Sequence, residues 1–436
     1  MQMYSHSVRL EKEKCIGCTD CIKRCPTEAI RVRGSKAQII EERCIDCGNC
    51  IRICRNGAKK AVTDDWRMLG RFKHRVALPA PSFYAQFPKA KSIEHILNAL
   101  YAIGFTDVLE VGAAGEVIAE KTYAWLEEAT HFPVISSSCP AIVRLIQRRF
   151  PSLIHQVLPI ISPMELAARY VRECYKKQGA SREEVGIFFL SPCPAKATEI
   201  RRPKGIKESE VDGVIGMQDI YKKVLPYLNS EGVDKIIRQT SLEGLKWARR
   251  TGGLNEVRLK SHLSVDGMDN VIGILEKVED GTLTEVHYIE ALACTGGCLG
   301  GALTVENPFV SRCYLQKWME QDKKEKRVQN TELLEDIAKM PVRYEKSIVP
   351  RPVFSLDHDT QKAIEKMQAI EELYTQLPQI DCGSCGAPTC RCFAEDVVRH
   401  NAQIEECIFM FRKKVKELSE NMHELTQTTL PTADEN

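Results

Sequence analysis

The sequence predicts an α/β protein with cysteine-rich segments at both ends. Between about residues 75 and 190, strand-like and helix-like hydrophobic patterns alternate, which is typical of parallel sheets covered by helices. Nineteen cysteines fall mostly into short-spaced groups, which in a large chain indicates metal sites rather than disulfides. At 436 residues the chain is long enough for two or three domains.

Composition and charge restrict the expected partners and compartment. The formal net charge is +2 and lysines are interspersed with glutamates, so no basic surface for a nucleic acid is expected. The N-terminus has no export leader and no apolar run approaches about 18 residues, so neither export nor membrane insertion is expected. These features predict a cytoplasmic protein.

The first cysteine group repeats one spacing twice. The run Cys-x2-Cys-x2-Cys-x3-Cys is typical of bacterial two-cluster ferredoxins, in which the fourth cysteine of each run ligates the other cluster. It predicts one 4Fe-4S cluster on Cys15, Cys18, Cys21 and Cys54, and a second on Cys44, Cys47, Cys50 and Cys25. A zinc site is the alternative, which eight thiolates in this repeat disfavour. Residues 1–70 are therefore predicted to form a two-cluster ferredoxin domain for electron transfer.

The central segment carries the predicted sheets. The predicted elements are a helix around 93–100, a strand over 106–111, a helix over 117–126, a strand over 132–135, helices around 142–146 and 164–175, and a strand over 185–190. Cys139 and Cys193 follow the strands that end at 135 and 190. Open α/β sheets bind ligands beyond the carboxyl ends of their strands, so both cysteines are expected at a binding edge.

A second pair, Cys294 and Cys298, lies in the apolar, glycine-rich segment 290–302. Two thiolates four residues apart suit a soft metal, and glycines let the backbone approach a bulky inorganic group. Alone, Cys139 or Cys193 would be interpreted as an ordinary turn cysteine. Taken with Cys294 and Cys298, they predict a four-thiolate centre.

Three segments resemble, in order and spacing, the signature segments of the FeFe-hydrogenases. They are Ser136-Ser-Ser-Cys139-Pro140, Pro192-Cys193-Pro-Ala-Lys196-Ala-Thr-Glu199 and Glu290-Ala-Leu-Ala-Cys294-Thr-Gly-Gly-Cys298-Leu-Gly-Gly301. With the ferredoxin-like segment, the resemblance covers roughly residues 10–305. It implies a two-lobed catalytic domain over residues 71–350. It also implies an H-cluster, in which a 4Fe-4S cubane on Cys139, Cys193, Cys294 and Cys298 is bridged by Cys298 to a diiron subcluster with CO, cyanide and azadithiolate ligands.

The resemblance also implies roles for neighbouring residues. Lys196 would donate a hydrogen bond to one cyanide, a suitable partner for a cation in a buried site. The segment Ala80-Pro81-Ser82 would contact the other cyanide. Glu199 and Glu290 would be carboxylates that position the surrounding loops. For Lys196 considered alone, a surface salt bridge is the alternative.

Several positions depart from the pattern of high-turnover hydrogenases. Ser138 stands where those proteins carry a cysteine that relays protons. A thiol with a pKa near ~8.5 exchanges protons close to neutral pH, whereas an aliphatic hydroxyl is a much poorer acid. A relay serine falls on Leu158, and two methionines around the diiron site are replaced by Ser191 and Leu292. A chain that keeps the cofactor ligands but lacks the proton route resembles the sensory members of the family.

The C-terminal segment carries a third cysteine group. The spacing Cys-x2-Cys-x4-Cys-x16-Cys resembles the small 4Fe-4S domain of electron-transfer and corrinoid iron-sulfur proteins. It predicts a further cluster on Cys382, Cys385, Cys390 and Cys407, within a small helical domain over residues 351–436. A zinc knuckle is the alternative. Cys174, Cys313 and Cys392 belong to no group and are expected to be buried or spare thiols.

The last helix is predicted to carry a heptad seam. Its apolar residues alternate at spacings of four and three, and they are Ile404, Ile408, Phe411, Val415, Leu418, Met422 and Leu425. Such a seam indicates a coiled coil, which predicts a homodimer. The alternative is a helix that packs on its own domain.

Taken together, the sequence predicts an FeFe-hydrogenase that reacts slowly with H2 and has a sensory or regulatory role. Its expected partners are H2 and protons, a ferredoxin or another redox or signalling protein, and maturation proteins that supply the diiron subcluster. One alternative is an ordinary ferredoxin-linked hydrogenase with another proton route. The other is a hydrogenase-like iron-sulfur assembly protein without a diiron unit.

Overall fold

A computed structural model describes residues 6–231, 238–254, 261–325, 330–357 and 359–429. The strands are β1 (Val8–Leu10), β2 (Ile30–Arg33), β3 (Lys36–Ile39), β4 (Lys59–Ala61), β5 (His74–Pro79), β6 (Asp107–Val108), β7 (Val134–Ile135), β8 (Val185–Ser191), β9 (Gly213–Gly216), β10 (His262–Asp266) and β11 (Tyr288–Leu292). The α-helices are α1 (Asp20–Lys23), α2 (Asn49–Ile53), α3 (Ile93–Ala102), α4 (Val111–Glu128), α5 (Pro140–Arg149), α6 (Pro163–Lys177), α7 (Pro194–Arg201), α8 (Met217–Val224), α9 (Leu242–Lys246), α10 (Met268–Glu279), α11 (Pro308–Lys324), α12 (Thr331–Ala338), α13 (Thr360–Gln376), α14 (Cys390–Val398) and α15 (Ile408–Thr429).

The chain folds into two compact units. The large unit comprises Met1–Arg9, Cys44–Arg52 and Lys60–Val353, and the small unit comprises Leu10–Arg43, Ile53–Lys59 and Phe354–Asn436. This division follows spatial contacts, so parts of the ferredoxin-like segment alternate between the two units. The predicted domains 1–70, 71–350 and 351–436 follow the chain instead and remain predictions.

The large unit contains two parallel sheets, which confirms the predicted α/β class. One has the strand order β6-β5-β8-β9 and the other the order β10-β11-β7. Every residue of β8 is buried, as expected for an apolar strand covered by helices on both faces. Each sheet has its own hydrophobic core, one including Ile187 and Phe188 and the other Ile135 and Ile289.

Helix α4 begins earlier than the hydrophobic pattern predicts. The predicted strand over 106–111 is reduced to Asp107–Val108, and the helix begins at Val111 instead of residue 117. A Cβ atom at Gly112 would lie 2.4 Å from Cγ2 of Thr240, and one at Gly115 would lie 2.8 Å from the indole of Trp247. The small residues of this first turn therefore allow close helix packing, although they contribute little to a hydrophobic pattern.

The small unit contains the antiparallel β2–β3 hairpin and a helical C-terminal part. The predicted seam is wrong at its first position, because Ile404 lies in a 3-10 turn and α15 begins only after the extended residue Cys407. From Ile408 to Leu425 the six remaining seam residues are 39% to 66% exposed. Within the small unit, the seam is therefore not covered by the described residues. Over the described parts of the chain, we find no helix with the length and apolar character needed to span a membrane.

Candidate metal centre

A cavity of about 110 Å³ lies in the large unit where several strands end. Cys139 follows β7, Cys193 follows β8, and Cys294 lies two residues beyond β11. These three cysteines and Cys298 all line the cavity. The fold therefore brings together the four predicted thiolate ligands from three separate segments, at the carboxyl ends of parallel strands.

Backbone contacts between two of these segments fix the cysteine loops. The N–H of Leu303 donates to the carbonyl oxygen of Pro192 at 2.8 Å. A Cβ atom at Gly301 would lie 2.2 Å from that same oxygen, so only glycine permits this approach. The Cys298 loop is thus held against the turn that carries Cys193.

Ser191 and Leu292, the predicted methionine replacements, lie in different places. The Ser191 hydroxyl accepts from the N–H of Cys193 at 3.1 Å and donates to its carbonyl oxygen at 2.9 Å. Ser191 is fully buried and lies outside the described lining of the cavity. Leu292 lines the cavity directly. Ser191 therefore orients the cysteine turn, whereas the sequence predicts contact with a cofactor.

The buried thiols suit a cationic iron centre. Burial, reinforced by the neighbouring thiols, raises the pKa of Cys193 to about 11 and that of Cys294 to about 12. Such thiols keep their protons near neutral pH unless a metal cation displaces them. Four thiolates are the usual donor set for an iron-sulfur cubane. The donor chemistry therefore fits an iron-sulfur cluster.

A second observation indicates that the cavity also fits a polar, hydrogen-bond-accepting group. The Ser82 side chain is fully buried, it lines the cavity beside Ala80 and Pro81, and its hydroxyl has no hydrogen-bond partner among the described residues. An unsatisfied buried hydroxyl costs about 1–3 kcal/mol. A ligand such as cyanide would accept from this hydroxyl and remove that cost.

Lys196 and Glu199 form an ion pair at the cavity wall. Both lie on α7, and Nζ of Lys196 is 2.7 Å from Oε2 of Glu199. Burial lowers the pKa of Lys196, but attraction to Glu199 and the cavity thiols outweighs it and the net pKa is raised. Burial raises the pKa of Glu199, but Lys196 and Lys204 outweigh it and the net pKa is lowered. An ammonium has three donors, so this contact leaves donors for an anion in the cavity.

Glu290 holds a loop against the three-stranded sheet. Its carboxylate accepts from the N–H of Gly253 at 3.0 Å, from the N–H of Thr251 at 2.8 Å and from the hydroxyl of Ser264 at 2.7 Å. Burial raises its pKa, with these hydrogen bonds opposing the shift. Glu290 lines the cavity, and its contacts are those of a loop-positioning carboxylate.

Ser138 lies beside the first cavity cysteine, Cys139, where the sequence predicts a poor proton donor. It lines the cavity, and its N–H donates to the Ser136 hydroxyl at 3.4 Å. Leu158, the other altered relay position, is only 3% exposed. Its side chain carries no exchangeable proton. Neither position supplies the acidic group of the high-turnover pattern.

Sequence reasoning missed several lining residues. Asp46 and Cys47, from the second ferredoxin-like run, line the cavity together with Met164 from α6. Asp46 is 1% exposed and accepts from Nη1 of Arg144 at 2.8 Å and from the Thr198 hydroxyl at 2.7 Å. An aspartate between ligand cysteines resembles an ordinary turn residue, so no spacing signal identifies it. Met164 places a thioether at the cavity, although Ser191 and Leu292 replace the two methionines of the family pattern.

The small unit brings together further predicted ligands. Cys15, Cys18, Cys21 and Cys54 line one small cavity of about 20 Å³. In the C-terminal part, Cys390 and Cys407 belong to one hydrophobic core and Cys385 packs against it. Burial raises the pKa of Cys385, and the neighbouring Cys407 and Cys382 add to this shift. The predicted set of Cys25, Cys44, Cys47 and Cys50 is divided between the two units and remains a prediction.

Comparison with known proteins identifies iron-sulfur and hydrogenase relatives. The family model described as iron only hydrogenase large subunit, C-terminal domain, matches residues 73–227 and 216–302. A 4Fe-4S dicluster domain matches residues 7–55, and an Fe-S cluster domain matches residues 377–409. The chain is therefore a hydrogenase-like iron-sulfur protein.

Individual relatives are distant. Iron hydrogenase 1 of Clostridium pasteurianum is 23% identical over 285 residues, which are 52% of this chain and 50% of that protein. A cytosolic Fe-S cluster assembly factor of Saccharomyces cerevisiae is 26% identical over 148 residues, 32% of this chain and 30% of that protein. A solved FeFe-hydrogenase structure aligns with a TM-score of 0.48 and 17% identity, covering 64% of this chain and 95% of that one. The chain spans about half the length of the curated hydrogenases it matches. The family match confirms the resemblance inferred from the three cysteine segments.

Proposed function

The chain belongs to the iron-only hydrogenase large-subunit family, and we propose that it is a slow, H2-binding hydrogenase of sensory or regulatory type. The observation that supports this most is that one cavity brings together four thiols, the buried Lys196 ammonium and the Ser82 hydroxyl, which has no partner among the described residues, with Ser138 in the relay position. Cys139, Cys193, Cys294 and Cys298 would hold an H-cluster. When bound, that cofactor supplies the conversion of H2 to two protons and two electrons.

The chain's own residues would orient the cofactor and restrict proton movement. Lys196 would donate a hydrogen bond to one anionic ligand of the cofactor while Glu199 holds its ammonium in place. Ser82, from the separate segment 80–82, would donate to a second ligand of the cofactor. Ser138 holds its hydroxyl proton too tightly to relay protons quickly, because an alcohol is a far weaker acid than a thiol. The expected result is H2 binding with slow turnover.

Two other functions have support of their own. An ordinary ferredoxin-linked hydrogenase would use another proton route, and Glu290 is a cavity carboxylate available for it. An assembly protein without a diiron unit is supported by the match to the cytosolic Fe-S cluster assembly factor. Lys196 and Ser82 favour the hydrogenase, because a bare cubane has no cyanide for them to bind.

Infrared spectroscopy of anaerobically matured protein separates these functions. Maturation proteins would supply the diiron subcluster, and bands of iron-bound CO and cyanide are then expected. Fully loaded protein without such bands would refute the proposal and favour the assembly function. If the bands are present, an H2 uptake and evolution assay decides between slow turnover and ordinary hydrogenase rates.

We also propose that a ferredoxin or a signalling protein exchanges electrons through the accessory clusters.

Helix α15 suits pairing with a second copy of this chain. Its six exposed seam residues, from Ile408 to Leu425, are arranged symmetrically about the bond between Lys416 and Glu417. All four cations of the seam segment precede that point and all three glutamates follow it, and they are Arg412, Lys413, Lys414, Lys416, Glu417, Glu420 and Glu424. An antiparallel pair would therefore bury the full seam and place basic halves against acidic halves. A homodimer of this kind is part of the proposal.

A further inference from the structure

The β2–β3 hairpin forms one wall of the first predicted cluster site. Val32 of β2 lines the small cavity that contains Cys15, Cys18, Cys21 and Cys54. Ala37 of β3 is paired with Val32, and its N–H donates to Sγ of Cys15 at 3.4 Å. The hairpin thus contacts a predicted ligand sulfur directly.

The same hairpin also holds the C-terminal ligand loop. The N–H of Val32 donates to the carbonyl oxygen of Gly386 at 2.8 Å, and Nη1 of Arg33 donates to that of Cys385 at 2.5 Å. Cys385 is a predicted ligand of the C-terminal cluster. Gly386 has a φ of +77°, and a Cβ atom there would lie 1.8 Å from the carbonyl oxygen of Val32. The loop is therefore seated on β2 as closely as a glycine backbone permits.

Buried charges fix this contact. Arg31 donates to both carboxylate oxygens of Asp396, at 2.6 and 3.0 Å, and Arg33 donates to Asp396 at 2.9 Å. Arg31 and Asp396 are each 5% exposed. Arg43 adds a 2.5 Å contact to Glu395. Bidentate guanidinium–carboxylate pairs specify geometry as well as adding energy, so the hairpin and α14 are held in one arrangement.

We infer that the β2–β3 hairpin is an electron-transfer bridge between the C-terminal cluster site and the site of Cys15, Cys18, Cys21 and Cys54. The route runs from Cys385 and Gly386 through the hydrogen bond to Val32, across the hairpin to Ala37, and through its N–H to the Cys15 sulfur. One site loses one electron as the other gains it, and no bond or proton changes. A low-potential electron-carrier protein would supply or accept that electron at the C-terminal site. The inference rests on cluster binding by these cysteines, as proposed above.

Electron paramagnetic resonance of the reconstituted, fully reduced full-length protein tests the bridge. Two reduced clusters in such contact broaden or split each other's signals. The Cys382→Ser variant is expected to lose one cluster's iron, and the signal of the Cys15 site should narrow. Cys392→Ser is the matched control, because Cys392 is a buried thiol outside the predicted ligand set, and both iron content and spectrum should be unchanged. Loss of iron in Cys382→Ser without any change in the remaining signals would overturn the inference.

A second variant keeps every ligand. Asp396→Asn weakens the contacts to Arg31 and Arg33, so the spin interaction should decrease while iron content is retained. Arg391→Gln is its control, because Arg391 lies on the same helix but pairs with the exposed Glu371 at 2.8 Å. An unchanged spin interaction between the two clusters in Asp396→Asn would contradict the electron-transfer bridge. Failure of the hydrogenase proposal would appear as missing infrared bands instead, and it would leave these measurements unaffected.

Discussion

Lys196 and Glu199 form a buried ion pair, with 2.7 Å between Nζ and Oε2, on the helix that follows the cavity cysteine Cys193. Their side chains are 10% and 18% exposed. The chain contains a counterpart with the same i,i+3 spacing, in which Lys339 and Asp336 lie 2.6 Å apart but are 70% and 46% exposed. The exposed pair has an aspartate and the reverse residue order, but its spacing is the same and its contact distance is similar, so it serves as the surface control for burial.

Replacing Lys196 with methionine should be far more damaging than replacing Lys339. Lys196→Met leaves the Glu199 carboxylate buried without its partner, which costs about 3–5 kcal/mol. Lys339→Met removes a surface pair worth roughly 0–1 kcal/mol. Anaerobic thermal unfolding measures the difference. Infrared spectra of matured Lys196→Met should also show weakened cyanide bands, and full-strength bands with normal stability would contradict the assigned role.

The contribution of the pair to stability should be constant near neutral pH. The pKa of Glu199 is lowered from its usual 4.5, so its contribution is present above that value and is lost as the pH falls through the lower folded-state pKa. The pKa of Lys196 is raised from 10.5, so its contribution is present below that value and is lost as the pH rises through the higher pKa. The difference in unfolding free energy between wild type and the double variant Lys196→Met/Glu199→Gln, which titrates at neither position, should therefore be equal at two pH values inside this window. A difference that changes within the window would contradict the pKa directions.

A thiol at position 138 should accelerate turnover. Ser138→Cys places at the cavity a thiol, whose unperturbed pKa is near ~8.5, and matched proton transfer typically contributes about 10²–10⁴-fold to rate. We expect at least about a tenfold rise in H2 uptake, measured with an artificial electron acceptor. Ser137→Cys is the control, because the Ser137 hydroxyl is directed to the carbonyl oxygen of Ile160 at 2.7 Å. Equal rates in wild type and Ser138→Cys would mean that another step limits turnover.

The sequence predicted those parts of the site that depend on local spacing. The apolar run of β8 and the turn that follows it placed Cys193 at a strand end, as the structure has it. Contacts between distant segments left no such signal. Asp46 reaches the cavity because its loop packs in the large unit, and Arg33 contacts the Cys385 carbonyl across 352 residues of sequence. Ser191 is a further example, because its hydroxyl bonds to the Cys193 turn and the residue lies outside the described lining of the cavity.

Gly386→Ala should release the C-terminal ligand loop from β2. The substituted residue would combine a strained positive φ with a Cβ atom 1.8 Å from a carbonyl oxygen, so the loop must move. Gly34→Ala isolates the strain alone, because Gly34 has a φ of +53° and nothing within 4 Å of the added atom. That control should lose only about 1–2 kcal/mol and keep its iron. Gly386→Ala should lose iron from the C-terminal site, and equal behaviour of the two variants would contradict the seating of this loop.

Helix α15 should drive self-association through its exposed seam. Leu418→Asp places a charge at the centre of the apolar stripe, so a dimer measured by light scattering should dissociate to monomers. Lys413→Asp is the control for simple charge change, because Lys413 lies away from the seam and its replacement should weaken the dimer much less. A monomeric wild-type protein would exclude the seam as a self-association surface.

The charge distribution of α15 also predicts the direction of pairing. In a parallel dimer the basic halves face each other, so neutralising Arg412 and Lys414, which flank the seam, with glutamine would relieve repulsion and strengthen association. In an antiparallel dimer the same cations face the acidic half that contains Glu420 and Glu424, so their loss should weaken association. We expect the second outcome, measured as a higher dissociation constant at low salt, where charge interactions are least screened. Tighter association of the neutralised variant would instead establish a parallel coiled coil.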